Sequence, residues 1–378
     1  MDFQNWSAFW WNNITGANLV VSNVVDALLD NSTVVIDVPS DLPWRQQMRS
    51  VIEDSFRSRS GSPEMIIEII DAADECPSDQ APGQFLLQKY AQNREVRGGY
   101  RERSQRTIQD YLKEKGVLKD RVIWVKGLSG KYIAKWLNFC KDYCHDSPEY
   151  GLFVLEVHGG VTRLDNKNIQ YIRFLDCVSS YDVQLFSSFV VDDISNLNSD
   201  WKKYISSVAA NLCDTDAEIS ACLLSNINVK SDSPLDIITN ISEYSQYKMR
   251  GTDPTSKHIF AFSRKGDTTE LEKRLWKAQV QTLFPLIEME RILIIEQYEY
   301  EMQEALDKNY VEQYRSQITN PIELELGTMC YMMSVCQLYI KEKETRDRIK
   351  FLHDCRNNLA HAHCCSPEEV RQLLAYTR

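Results

Sequence analysis

The 378-residue chain reads as a mixed α/β protein that continues into an all-α C-terminal part. Three observations predict this. β-Branched runs bounded by turn formers recur between residues 32 and 191 and alternate with segments of helical period, the pattern of a mostly parallel sheet with helices on both faces. From Thr268 the strand signal stops and long amphipathic stretches take over, as in an antiparallel bundle of four or five helices. Hydrophobic residues make up 43% of the chain, enough for two cores.

Residues 17–30 carry Leu19, Val20, Val24, Ala27 and Leu28 at helical spacing. Residues 32–39 form a β-branched run ending at Pro39, which predicts a buried strand. A helix over 43–57 follows, with Trp44, Met48, Val51 and Ile52 on one face. Further strands are expected at 65–70, 121–125, 152–157, 170–175 and 183–191, with a helix at 131–144 between two of them. This sets an α/β domain over 1–191. Helical pieces at 200–211, 216–225 and 235–249, then a last strand or linker at 260–264, make 192–267 a helical lid or connector. The helical domain spans 268–378. Its helices are expected at 270–283, after Pro285 to about residue 316, from Asn320-Pro321 onward, at 345–361, and after the cap Ser366-Pro367-Glu368-Glu369.

Composition excludes several classes. No run approaches the roughly 18 apolar residues needed to cross a bilayer, so no membrane partner is expected. Met1-Asp2-Phe3-Gln4-Asn5-Trp6 lacks a charged segment leading into an apolar one, which argues against a secretory leader. Eleven cysteines without framework spacing suggest reduced thiols and a cytoplasmic protein. Cys140, Cys144 and His145 lie close together, but no second Cys/His pair completes the four ligands of a structural zinc site, so no metal and no cofactor is expected. A net charge of -11 opposes indiscriminate nucleic-acid binding.

The order of strand, turn and helix in the first part suggests a core similar to the P-loop NTPases, with the phosphate loop expected at Ile14-Thr15-Gly16-Ala17-Asn18. That stretch has no Gly-Lys-Ser/Thr, so it lacks the lysine for the β/γ phosphates and the hydroxyl for magnesium. Gly127-Leu128-Ser129-Gly130-Lys131 lacks the four-residue spacer and has Tyr132 where Ser or Thr is required, and reads as a glycine turn. Asp37, Glu68, Asp71 and Asp74 read as strand-end and loop acids rather than magnesium ligands. The domain is therefore expected to be NTPase-like without hydrolysis. Within it, Arg94, Arg97, Arg101, Arg103 and Arg106 are interleaved with Tyr90, Tyr100 and Tyr111. Such a segment grips phosphates and stacks bases, or, with Glu95, Glu102, Asp110 and Glu114 among the arginines, is an ordinary solvated surface.

One stretch spells out chemistry: Cys355-Arg356-Asn357-Asn358-Leu359-Ala360-His361, at the end of the helix expected over 345–361. On a regular helix Asn357 and His361 share a face, with His353 one turn earlier, whereas Arg356 and His361 stand about 140° apart. Arg356 and His361 converge only if the helix breaks or a second chain supplies the complement. Arg356, Asn357 and His361, with the short helix that follows, resemble the Arg, polar, four-to-six-residue, His motif of the HEPN domains; the resemblance covers about the last 110 residues.

The resemblance implies a metal-independent endoribonuclease whose site forms across a homodimer of the helical domains. His361 would move a proton of the RNA 2′-hydroxyl or leaving oxygen, Arg356 would stabilise charge on phosphorus, and Asn357 would orient the phosphate or His361. His363 is an auxiliary candidate. The arrangement looks like bacterial phage-defence or toxin effectors, with RNA as substrate and a defence-system protein as a further partner. Two alternatives stand beside it: a non-catalytic HEPN-like dimerisation adaptor, and a working NTPase with an atypical phosphate loop.

Overall fold

A computed structural model describes residues 3–61, 65–77, 80–101, 106–143, 150–194, 197–228, 231–253, 256–309, 311–313 and 316–376. It divides into two compact units, Met1–Asp182 and Val183–Arg378. The division falls at residue 182 rather than 191, and the expected connector belongs to the same unit as the C-terminal helices.

The first unit contains α1 (Phe3–Asn13), α2 (Thr15–Leu29), β1 (Thr33–Asp37), α3 (Arg45–Ser60), β2 (Ile66–Asp71), α4 (Ala72–Glu75), α5 (Pro82–Tyr90), α6 (Arg94–Gly98), α7 (Ile108–Glu114), β3 (Arg121–Leu128), α8 (Lys131–Tyr143), β4 (Leu152–Val157), β5 (Ile169–Arg173) and α9 (Phe174–Cys177). The five strands form one parallel sheet in the order β2-β3-β4-β1-β5. Every residue of β4 is buried, as expected of a central strand with helices on both faces. On one face α2 packs on β1 and β5 and meets α1 and α3. On the other, Phe85, Leu112, Trp136, Phe139 and Tyr143 of α5, α7 and α8 pack on Ile123, Val125, Phe153 and Leu155.

Near Ile14 the structure departs from the expected phosphate loop. Ile14 joins two helices, and among the described residues no strand precedes it. Gly16 is there for packing: a Cβ would stand 2.6 Å from the Cys177 carbonyl oxygen and 2.7 Å from the Asp182 carboxylate. The Gly16 N–H donates to Asp182 Oδ1 at 3.0 Å, so it is not free for a phosphate.

The second unit takes up most of α10 (Ser180–Ile194), followed by α11 (Ser199–Cys213), α12 (Ala217–Asn226), α13 (Pro234–Ser242), α14 (Ile259–Lys265), α15 (Thr268–Gln297), α16 (Glu299–Lys308), a short antiparallel pair β6 (Glu312–Gln313) and β7 (Ser316–Gln317), α17 (Leu326–Ser334), α18 (Lys343–Ala360) and α19 (Pro367–Tyr376). Five expectations are corrected here. Residues 183–191 are helical, not a strand: Val183, Phe186, Ser187 and Val190 are buried at helical spacing while Leu185 and Phe189 are exposed, so periodicity outweighs β-branched composition. Residues 260–264 are also helical, with the His258 side chain capping α14 by accepting from Phe260 N–H.

Pro285 does not end a helix. Leu283 and Ile287 are both fully buried beside it, and their packing holds α15 together against a proline cost of about 3 kcal/mol. Beyond Lys308 the expected long helix gives way to the β6–β7 pair, and Asn320-Pro321 opens a 3-10 turn, Pro321–Glu323, rather than α17 itself. Among the described residues no helix is long and apolar enough to cross a membrane.

Gly16→Ala tests the packing reading. Alanine in a helix interior ordinarily gains about 1 kcal/mol over glycine, whereas overpacking costs about 1–3 kcal/mol. The expected result is a chemical-denaturation midpoint lowered by a net loss of up to about 2 kcal/mol.

Candidate functional site

One cluster of chemistry-bearing side chains lies at the end of α18 and another at the carboxyl edge of the parallel sheet. In the second unit, Ile349, Leu352, Cys355 and Leu359 form the buried stripe of α18 and turn it toward α15 and α17. That orientation leaves His353, Arg356, Asn357 and Asn358 half-buried along its flanks. The helix stops at His361. The His361 N–H donates to the Asn357 and Asn358 carbonyls at 3.0 and 3.2 Å, and the His363 N–H reaches back to Asn358 at 2.8 Å. Ala362 takes φ 61° to close this turn, the left-handed position that usually goes to glycine.

The turn leaves the rings of His361 and His363 in solvent. Around it, Trp276 Nε1 of α15 donates to the Leu359 carbonyl at 2.7 Å, and the Gln279 amide exchanges hydrogen bonds of 2.9 and 2.7 Å with the Cys365 backbone. Ser366 and Glu369 then cap α19 reciprocally, Ser366 N–H to the carboxylate and Glu369 N–H to the hydroxyl.

The motif residues do not meet within one chain. Arg356 faces the Glu325 carboxylate at 3.7 Å, with both side chains about a third exposed, so the pair contributes at most ~1 kcal/mol. Asn357 Nδ2 donates to His353 Nε2 at 2.9 Å, and His353 Nδ1 faces Asp354 at 3.2 Å. Asn357 is thus held by His353, not by His361. Among the described residues no hydrogen bond or ion pair joins Arg356 to His361.

The basic segment is more ordered than its composition suggests. Arg94 and Arg97 lie on α6, and Arg97 Nε donates to the Ala91 carbonyl. Arg106 pairs with Glu114 at 2.6 Å, and Arg101 is exposed; Arg103 lies outside the described residues. The tyrosines are engaged internally: Tyr100 packs on Tyr111, Tyr111 donates to the Val96 carbonyl, and Arg121 stands over Tyr90. Of the three residues set aside as metal ligands, Cys140 is buried in the core while Cys144 and His145 fall outside the described residues. Among the described residues no three His, Cys, Asp or Glu side chains cluster as metal ligands.

The second place lies at the carboxyl ends of the parallel strands. β1 leads to the far edge strand β2, whereas β4 leads to β5 on the opposite side, so the chain reverses direction between β1 and β4, where such sheets take ligands. There Glu156, fully buried, receives Arg45 Nη1 at 2.6 Å on one oxygen. Its other oxygen receives Arg49 at 2.7 and 3.1 Å and Trp124 Nε1 at 2.8 Å. Arg45 also donates to the Pro39 and Ser40 carbonyls. His158 Nδ1 donates to the Val38 carbonyl, which leaves Nε2 to accept from Arg45 at 3.2 Å.

The sequence signal for this network is the single charge inside the apolar run Leu152–Val157. Its partners lie 107 and 111 residues away, beyond any local pattern. The neighbouring acids are also paired: Asp71 with Lys126 at 2.7 Å, Glu68 with Arg121, and Asp37 with Gly160 N–H and Arg173. Gly127 and Leu128 end β3, and a turn at Ser129-Gly130 opens α8.

Burial alone would raise the Glu156 pKa, but the charges of Arg49 and Arg45, with their hydrogen bonds and that of Trp124, hold it below the ordinary value. A depressed folded-state pKa gives stability that is present above the unfolded value of about 4.3 and lost as pH falls through the folded one. Glu156→Gln is therefore expected to cost about 3–5 kcal/mol at pH 7 by leaving two arginines unpaired. It is also expected to flatten the acid limb of the stability profile below about pH 4, measured by urea denaturation across pH.

No protein-family model matches the chain, and no curated protein matches it at a significant level of similarity.

Proposed function

We propose that this protein is a metal-independent endoribonuclease of the HEPN type, acting as an effector of a phage-defence or toxin system. Two copies pair through their C-terminal helices, and the N-terminal α/β unit controls the pair. The observation that carries this reading is the end of α18: the turn through Ala362 stops the helix at His361 and presents its ring to solvent one turn beyond the half-buried Asn357.

The unmet pairing of Arg356 and His361 supports a two-copy site, since one copy offers the histidine at the helix end and the arginine on its flank. Exposed Met289 and Leu293, one turn apart on α15, with exposed Tyr331 of α17 and Val335 just after it, supply apolar surface of the kind a helical dimer covers.

In this reaction His361 removes the 2′-hydroxyl proton and the freed oxygen attacks phosphorus. The bond to the 5′ oxygen breaks, and that oxygen takes a proton from the second copy's His361. Arg356 neutralises the charge gathered on the phosphoryl oxygens, leaving a 2′,3′-cyclic phosphate and a 5′-hydroxyl. Arg94, Arg97, Arg101, Arg103 and Arg106, with His363, provide weaker phosphate contacts along the RNA.

The adaptor reading is favoured by a different observation: Arg356 and Asn357 already have partners in Glu325 and His353, as expected of a motif that pins helices. Incubating purified protein with single-stranded RNA in EDTA separates the two. The expected outcome is cleavage that falls by at least about 100-fold in Arg356→Ala and in His361→Ala, with the fold retained by circular dichroism. Cleavage that persists in both variants overturns the assignment. A dimer that leaves RNA intact supports the adaptor.

A further inference from the structure

The carboxyl edge of the sheet also carries a cleft that the ribonuclease reading leaves unused. It lies on the α8 face and is divided by the 160–164 segment between β4 and β5. The larger part, about 520 Å3, has apolar walls of Leu128, Ile133, Leu137, Val161 and Leu164. The smaller, about 310 Å3, is lined by Asp37, Arg163, Tyr171 and Arg173. Both sizes fall within the range of small-molecule sites. Gly160 and Val161 wall both parts. Gly160 holds φ 83°, and nothing stands within 4 Å of where its Cβ would be, so a ligand can approach the backbone there.

The polar groups are distributed unevenly. Ser129, Asn138 and Thr162 line the larger part, are exposed, and have no side-chain hydrogen bond among the described residues. In the smaller part the Arg163 guanidinium lies 5.6 Å from the Tyr171 ring centre, whose hydroxyl is fixed by Leu164 N–H at 2.8 Å. Arg173 stands 3.6 Å from Asp37 and 3.7 Å from Asp176, whereas Arg163 has no acidic partner within ion-pair distance among the described residues, so Arg163 is the charge open to an anion. The larger part touches the Glu156 network at His158, which lines it, but the arginines of that network are already committed.

We propose that this cleft binds a small amphipathic anion: a ring-sized or alkyl body among Ile133, Leu137, Val161 and Leu164, and a phosphate or carboxylate on Arg163 and Arg173. A nucleoside monophosphate and a medium-chain fatty acid share that chemistry. Titration of the full-length protein with anilinonaphthalene sulfonate, followed by fluorescence, tests it.

The expected result is one saturable site, weakened at least about 10-fold by Arg163→Glu, which reverses the charge, and by Ala134→Trp, which fills the larger part from the exposed face of α8. Arg57→Glu, a charge reversal on α3 at the opposite face of the sheet, is expected to leave binding unchanged. Displacement by AMP assigns a nucleotide and displacement by decanoate a fatty acid. Displacement by neither overturns the proposal, as does probe binding that Ala134→Trp and Arg163→Glu leave intact or that Arg57→Glu weakens equally.

Discussion

Glu156 ties the first unit together at the point where its sheet changes direction. One carboxylate gathers α3 through Arg45 and Arg49, β3 through Trp124, and the loop after β1 through Arg45's hold on Pro39 and Ser40. An isolated charge at this depth would be prohibitive, and it is tolerated because charge-assisted donors satisfy both oxygens. In phosphate-binding sheets the loop after the first strand is open, glycine-rich and cationic, waiting for an anion. Here the loop after β1, residues 38–44, has two prolines and no glycine, and Arg45 and Arg49 of the following α3 are already answered by the protein's own carboxylate. A buried carboxylate of the chain itself is therefore the anion that these arginines hold.

How much of this was legible in the sequence depended on how far apart the determining residues lie. Leu152–Val157 is read to the residue because an unbroken apolar run between turns admits few other structures. Residues 183–191 are misread because their composition is strand-like, while the helical spacing of Val183, Phe186 and Val190 is decisive only once the buried face is known. Pro285 misleads because local cost is visible in sequence and compensating tertiary packing is not. The shift of the phosphate-loop position has the same origin: Gly16 signals a turn locally, but its contacts are with Cys177 and Asp182, far along the chain.

The C-terminal motif shows the same division. Its place on a helix and its cap residues follow from spacing, and the reciprocal Ser366–Glu369 cap is a local signature. The turn that ends α18 is not legible, since the left-handed residue is Ala362 where glycine would have announced it; the substitution costs roughly 1 kcal/mol that the surrounding contacts offset. Equally hidden is the partner choice of Asn357, which spacing allows to face either His353 or His361.

Those surrounding contacts come from one element. α15 pins the end of α18 through Trp276 and the following loop through Gln279. Farther along, Arg291 binds the carbonyls of Ile322 and Leu324, fixing the chain just before α17 and Glu325. Arg356, whose carboxylate partner starts α17, and His361, at the end of α18, are therefore both referenced to the same 30-residue helix. A site completed by a second copy needs this more than a site within one chain does. Each half must arrive preformed, because an error of about 1 Å in either copy is felt by the reacting atoms of both. In the proposed two-copy site a two-fold axis would present the same rigid pair twice, and the separation of Arg356 from His361 within one copy would be the geometry that leaves room for a phosphate between two.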